Sequence, residues 1–271
     1  MIKSFVVAVL LSFCAETAWA QTPPAQGIPP DAPAAKSAAK KPASKSKAVT
    51  TPRSENAACD IGVIAAAGNP IGLKKVGITV FGNEYSEVAS DAWGIDDLIV
   101  ARVRAASGPG VAVRRIVVGG EGLFELYKKP GKGFFNNPRE NLTEAVRHIA
   151  ANSHCARYIA VTRSIGNLGG TNQTLEGIGI LTQGPFGKVA VFVNAEIAVF
   201  GGQNFAIRDD PFASLGARLS QMGKDERLRA VEGAEFPASP EAAAKDTRLR
   251  DAARTLLAER LDRILPEYLK E

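Results

Sequence analysis

The stretch KVAVFVNAEIAVF, residues 188–200, decides the fold class. Val189, Val191, Val193, Ala195, Ile197 and Val199 alternate with Ala190, Phe192, Asn194, Glu196 and Ala198. A period of two sends successive side chains to opposite faces of a strand, so this run is a strand with one plainly apolar face. Gly184-Pro185-Phe186-Gly187 lies just before it, and Leu175–Thr182 before that, which predicts a hairpin.

Downstream, residues 208–240 are charged and irregular, with one short helix expected near Ala213–Gln221. A long helix then runs from about Ala243 to Leu265. Leu249, Ala253, Leu256, Leu257, Leu261 and Ile264 lie on one side of it, while Arg248, Arg250, Arg254, Arg260 and Arg263 occupy much of the rest. That apolar side should dock on the sheet.

Upstream, Tyr158–Arg163 reads as a strand leading into the polar loop Gly166–Thr174. Before it comes a helix that Asn137 can cap, with Pro138 in its first turn, Glu140 completing a capping-box-like pair, and Leu142, Ala145, Val146, Ile149 and Ala150 on one face. Val111–Val118 is another strand. Ile95, Leu98, Ile99, Val103 and Ala106 recur at helical spacing until Gly108-Pro109-Gly110 ends the helix. Asp60–Ala67 and Leu73–Phe81 are β-rich runs separated by Gly68-Asn69-Pro70-Ile71-Gly72, which reads as a second hairpin. The expected fold is α/β (α+β): a single mixed β-sheet with helices packed on it, in one domain from residue 58 to 271. No repeat at solenoid or propeller period is present.

The amino terminus has the three zones of a secretory signal: Lys3, an apolar run from Phe5 to Ala15, and the small-residue exit Ala18-Trp19-Ala20. Residues 1–20 are therefore expected to be removed, and the apolar run is too short to span a membrane, which takes roughly 20 residues. Cys14 follows Leu11-Ser12-Phe13, and Phe13 is not the small residue that lipid attachment needs. Residues 21–56 are Pro, Ala, Lys and Ser with almost no large apolar side chain, the composition of a disordered tether. Its basic residues can attract anionic lipid or acidic polymer, or simply keep it solvated.

The formal net charge is +5. Most of it sits in that tether, where Lys36, Lys40, Lys41, Lys45, Lys47 and Arg53 face only Asp31 and Glu55. The remainder is nearly neutral, so no nucleic-acid partner is expected. Cys59 and Cys155 are a candidate disulfide in an oxidising compartment, with two separate buried thiols as the alternative.

The densest acidic group is Glu84, Glu87, Asp91, Asp96 and Asp97, between a strand end and a helix start, where α/β folds often place ligands. Asp96, Asp97 and Glu84 are the candidate catalytic carboxylates; the competing role is to stabilise a helix start. His148 and His154 are six apart and share no helical face, so no metal pair is formed there. No Ser stands in Gly-x-Ser-x-Gly, and Gly166-Asn167-Leu168-Gly169-Gly170 and Gly131-Lys132-Gly133 lack the context of a phosphate loop. No cofactor or metal is expected. Phe134, Phe135 and Lys132, beside Lys128 and Lys129, form a candidate contact site for a partner, or a loop anchored in the core.

A strand running into Asp96-Asp97 and the helix with Ile95 and Val103, a second strand and helix ending at Ala160-Val161, then a long hairpin and a last helix form an order that resembles a known domain. It is similar to the small α/β domain of bacterial envelope assembly proteins: the amino-terminal domain of the Tol-Pal system's periplasmic protein, the curli secretion channel, and the lipoprotein activators of penicillin-binding proteins. The resemblance covers residues 73–265 and implies a periplasmic or secreted role. The expected function is a non-enzymatic cell-envelope protein that binds a protein or cell-wall partner, with no membrane-spanning helix. A periplasmic hydrolase using the 84–97 carboxylates, or a secreted small-molecule or metal-binding protein, are the alternatives.

Overall fold

The structure, a computed structural model, describes residues 59–77, 82–89, 91–118, 123, 138–168, 173–183, 187–214, 216 and 226–270. They belong to one compact unit, Arg53–Glu271. Residues 1–20 and 21–56, expected as signal and tether, lie outside the described residues, as do Lys132, Phe134, Phe135 and most of the short helix expected near 213–221.

The α/β class with mixed pairing holds. The strands are shared among two main sheets and a ribbon, where one sheet is expected from the sequence. In the first sheet β1 (Cys59–Ala66) lies between β4 (Val113–Ile116) and β5 (Cys155–Arg163), parallel to both, and β10 (Ala195–Gly201) pairs antiparallel to β5. β1 and β5 read as almost continuous apolar runs because both of their faces are covered. Ile61, Val63, Ile159, Val161, Ile197 and Val199 face helices α1 (Ile95–Ser107) and α4 (Thr247–Leu269). Ile64, Ile116, Tyr158, Ala160 and Phe200 pack with Leu142, Val146 and Ala150 of α2 (Pro138–Ala150).

The second sheet has the order β11 (Leu228–Ala230), β9 (Ala190–Val193), β8 (Ile178–Gln183), β2 (Ile71–Val76), β3 (Glu84–Val88). β6 (Ile165–Leu168) and β7 (Gln173–Glu176) make a two-stranded ribbon. Among the described residues, two of the passages between the main sheets run directly from one strand into the next. At Gly68-Asn69-Pro70, with a cis Asn69-Pro70 bond, the chain leaves β1 and enters β2. The expected β1–β2 hairpin is therefore absent: β2 pairs with β3 and β8.

The second direct passage is at Asn194, inside the alternating run 188–200. Val193 pairs with Ile178 in one sheet and Ala195 with Arg163 in the other. Only one residue separates the two strands, so parity is kept, and Val189, Val191, Val193, Ala195, Ile197 and Val199 reach the same core. The β8–β9 half of the expected hairpin is present; Leu175 and Glu176 pair with β6 instead.

The long carboxy-terminal helix is two helices. Ser239 Oγ accepts from Ala242 N–H at 3.2 Å to start α3 (Pro240–Lys245), and Asp246 Oδ1 accepts from Leu249 N–H at 2.9 Å to start α4. The arginines of α4 are clamps as well as a polar face. Arg254 donates to the carbonyls of Trp93 and Gly94, both at 2.6 Å, Arg248 to the Gly233 carbonyl at 2.9 Å, and the buried Arg260 to the Ala195 carbonyl at 3.0 Å.

Candidate functional site

The carboxyl end of β1 and the amino end of α1 meet in a cleft of about 200 Å³ lined by Gly68, Asn69, Asp91, Asp96, Asp97 and Arg115 among others. Its position follows from the topology: a helix that follows a strand in a parallel layer returns with its amino terminus at the strand's carboxyl end. Gly94, in the left-handed region at φ 56°, turns the chain into α1 without a side-chain cap. Gly68 is needed for close approach, since a Cβ there would lie 2.6 Å from the Ile95 Cβ.

Each cleft carboxylate has a partner. Asp96 Oδ1 accepts from the N–H groups of Ala67 at 3.1 Å and Gly68 at 3.0 Å, so it fastens the β1–β2 turn to α1 and does not cap its own helix. Asp97 pairs with Arg115 of β4, and Asp91 accepts from Asn69 Nδ2 at 2.8 Å. Burial raises the Asp96 pKa, against the lowering effect of the two amides and Arg115; the neighbouring Asp97 also raises it.

The acidic group of the sequence thus divides. Asp91, Asp96 and Asp97 share the cleft, whereas Glu84 and Glu87 lie on β3 at the edge of the second sheet. Glu84 faces Lys75 at 3.8 Å. Glu87 accepts from Tyr85 Oη at 2.8 Å and pairs at 3.3 Å with Arg163, whose buried side chain also reaches Glu176 at 3.2 Å. Burial raises the Tyr85 pKa most, the hydrogen bond and charge of Glu87 raise it further, and Arg163 lowers it.

Sequence reasoning missed Arg115 and Asn69. Arg115 stands in VAVRRIVV, residues 111–118, next to Arg114, and nothing in the alternation says which arginine turns towards the carboxylates. Also missed is a cleft of about 120 Å³ at the edge of β10, lined by Glu196, Asp210, Arg139 and Tyr268 among others. Tyr268 Oη donates to Asp210 Oδ1 at 2.9 Å, and burial together with Asp210 raises the Glu196 pKa. Glu196 was legible only as a polar step in an alternating strand.

Cys59 and Cys155 are joined by a disulfide, with Cα atoms 4.5 Å apart. His148 lies in the last turn of α2 and His154 just before β5 at φ 43°. Among the described residues no group of three or more His, Cys, Asp or Glu is arranged to hold a metal ion, and no helix is long and apolar enough to cross a membrane. No family model, no curated protein sequence and no solved structure matches this chain.

Proposed function

We propose that this is an exported cell-envelope protein that binds a protein or cell-wall partner and performs no reaction of its own. The observation that carries the reading is that every carboxylate of the cleft between β1 and α1 already has a protein partner: Asp96 on two backbone amides, Asp97 on Arg115, Asp91 on Asn69. One oxygen of each carboxylate, Oδ1, is already given to a protein partner, which makes these groups poorer candidates for a general base. The export half of the reading is supported by the signal-like residues 1–20 and by the Cys59–Cys155 bond, a linkage that persists in oxidising compartments. The likeness in element order to envelope assembly domains points the same way, and shared architecture alone assigns no role.

A hydrolase is the second reading. What favours it is the raised pKa of Asp96 at the carboxyl end of a parallel strand, where acid–base groups are often found. One experiment separates the two. Short-range crosslinking in intact envelopes, followed by capture, is run on the wild type, a Phe134/Phe135 deletion, and an Asp96→Asn/Asp97→Asn variant. The binding reading expects a crosslinked partner that the carboxylate variant keeps and the deletion loses. A hydrolytic turnover abolished by the carboxylate variant, with no crosslinked partner in any sample, defeats it.

A further inference from the structure

The Cys59–Cys155 bond ties the first residue of β1 to the first residue of β5 across a sequence separation of 96. β2, β3, α1, β4 and α2 all lie inside the loop it closes. Both cysteines are buried, at 7% and 4% exposure. Tyr158 covers them: its hydroxyl accepts from the Cys155 N–H at 3.1 Å and its ring stacks on Phe205 at 5.3 Å. Gly62 opens the slot, because a Cβ there would lie 2.5 Å from the Tyr158 ring and 3.1 Å from the Cys155 sulfur.

We propose that this bond couples folding to the compartment: with free thiols the folding equilibrium is weakened by orders of magnitude, and oxidation commits the chain to the native state. The proposal rests on the exported reading given above. β1 is one of the two inner strands of its sheet, and its parallel pairings to β4 and β5 join segments far apart in the chain. Contacts of that kind form only after the entropy of loop closure has been met, and the crosslink meets it in advance. In the loop-entropy model a crosslink of this span shifts the folding equilibrium on the order of 10³-fold. That is a large share of the marginal stability of a single domain.

The oxidant is a disulfide-bearing molecule of the exchange type. One cysteine thiolate attacks its disulfide, forming a mixed disulfide and releasing one thiol; the other cysteine then attacks the mixed sulfur and releases the second. The two protein thiols lose two electrons and two protons, and the oxidant leaves as two thiols. Because both sulfurs are buried in the folded state, exchange takes place while β1 and β5 are still apart, and folding then shields the product.

Urea titration of the purified protein tests the coupling. Reduced wild type should show a folding equilibrium constant lower than the oxidised form by on the order of 10³-fold, and Cys59→Ala/Cys155→Ala should behave like the reduced wild type. Coincident midpoints for oxidised and reduced protein overturn the proposal. If the reduced forms are unfolded without urea, a disulfide oxidant is added to reduced wild type. Native far-UV circular dichroism returning together with the bond supports the proposal, and bond formation without it overturns the proposal. Cell fractionation is read separately: wild type in the cytosol with free thiols defeats the exported reading, while the titration still decides whether bond and folding are coupled.

Discussion

The Asp96 carboxyl is pulled in two directions: burial disfavours its charge, while the amides of Ala67 and Gly68 favour it, and burial has the larger effect. Two substitutions separate these roles. Asp96→Ala leaves two buried N–H groups without an acceptor and should cost about 1–3 kcal/mol in urea unfolding. Asp97→Ala removes a largely exposed ion pair and should stay within about 1 kcal/mol of wild type. Asp96→Asn keeps an oxygen for the amides and removes the titration. With a folded pKa above 3.8, the unfolded chain releases its proton first as pH rises, so the Asp96 contribution to stability is largest below 3.8 and declines through the folded value. The stability of wild type relative to Asp96→Asn should therefore fall as pH is raised from 3.8; a difference that rises would mean that the amides outweigh burial. Asp96 and Asp97 were legible as a pair at a helix start, because acidic residues there have few other uses. Their partners were not, since Arg115 is brought to Asp97 by the packing of β4 beside β1, a contact that no local pattern encodes.

At the scale of elements, periodicity found helices α1 and α2 and the cores of β1, β4, β5 and β8, because each buries a face whose spacing is fixed by backbone geometry. It failed where two elements share one pattern. The alternation through Asn194 stays in phase across two sheets, so that break does not interrupt the hydrophobic signal, and the apolar stripe read from Leu249 onward lies wholly within α4, so it carries no mark of the α3–α4 junction. The junction was nonetheless written in Asp246, a good amino-cap residue placed before TRL. Its side chain takes the Leu249 N–H and its own N–H reaches the Ala243 carbonyl, ending one helix and starting the next. Asp246→Ala should lower stability by about 1 kcal/mol, and Asp246→Asn by less, since asparagine caps nearly as well. Thermal melts of the two variants check the order; equal losses would show that the charge matters more than the hydrogen bond.

For the whole molecule, the two main sheets bury their inner faces in one core. Ile61, Ile159 and Val199 of the first sheet, Ile71, Ile180 and Val191 of the second, and Leu256, Leu257 and Leu261 of α4 belong to a single cluster. α4 is about 35 Å long at 1.5 Å per residue, enough to lie across both sheets, and Arg260 fixes it to the crossing point at the Ala195 carbonyl. A helix shared in this way makes neither sheet stable without the other. Truncating its middle should therefore weaken both sheets together and not release one of them. Leu257→Ala removes a fully buried side chain and should cost about 2–5 kcal/mol. The loss should appear to the same extent in amide exchange of β5 and of β8, which lie in different sheets. If the β8 amides exchanged faster in this variant while those of β5 kept their protection, the second sheet would be a separate unit resting on the first, and the single core would be two.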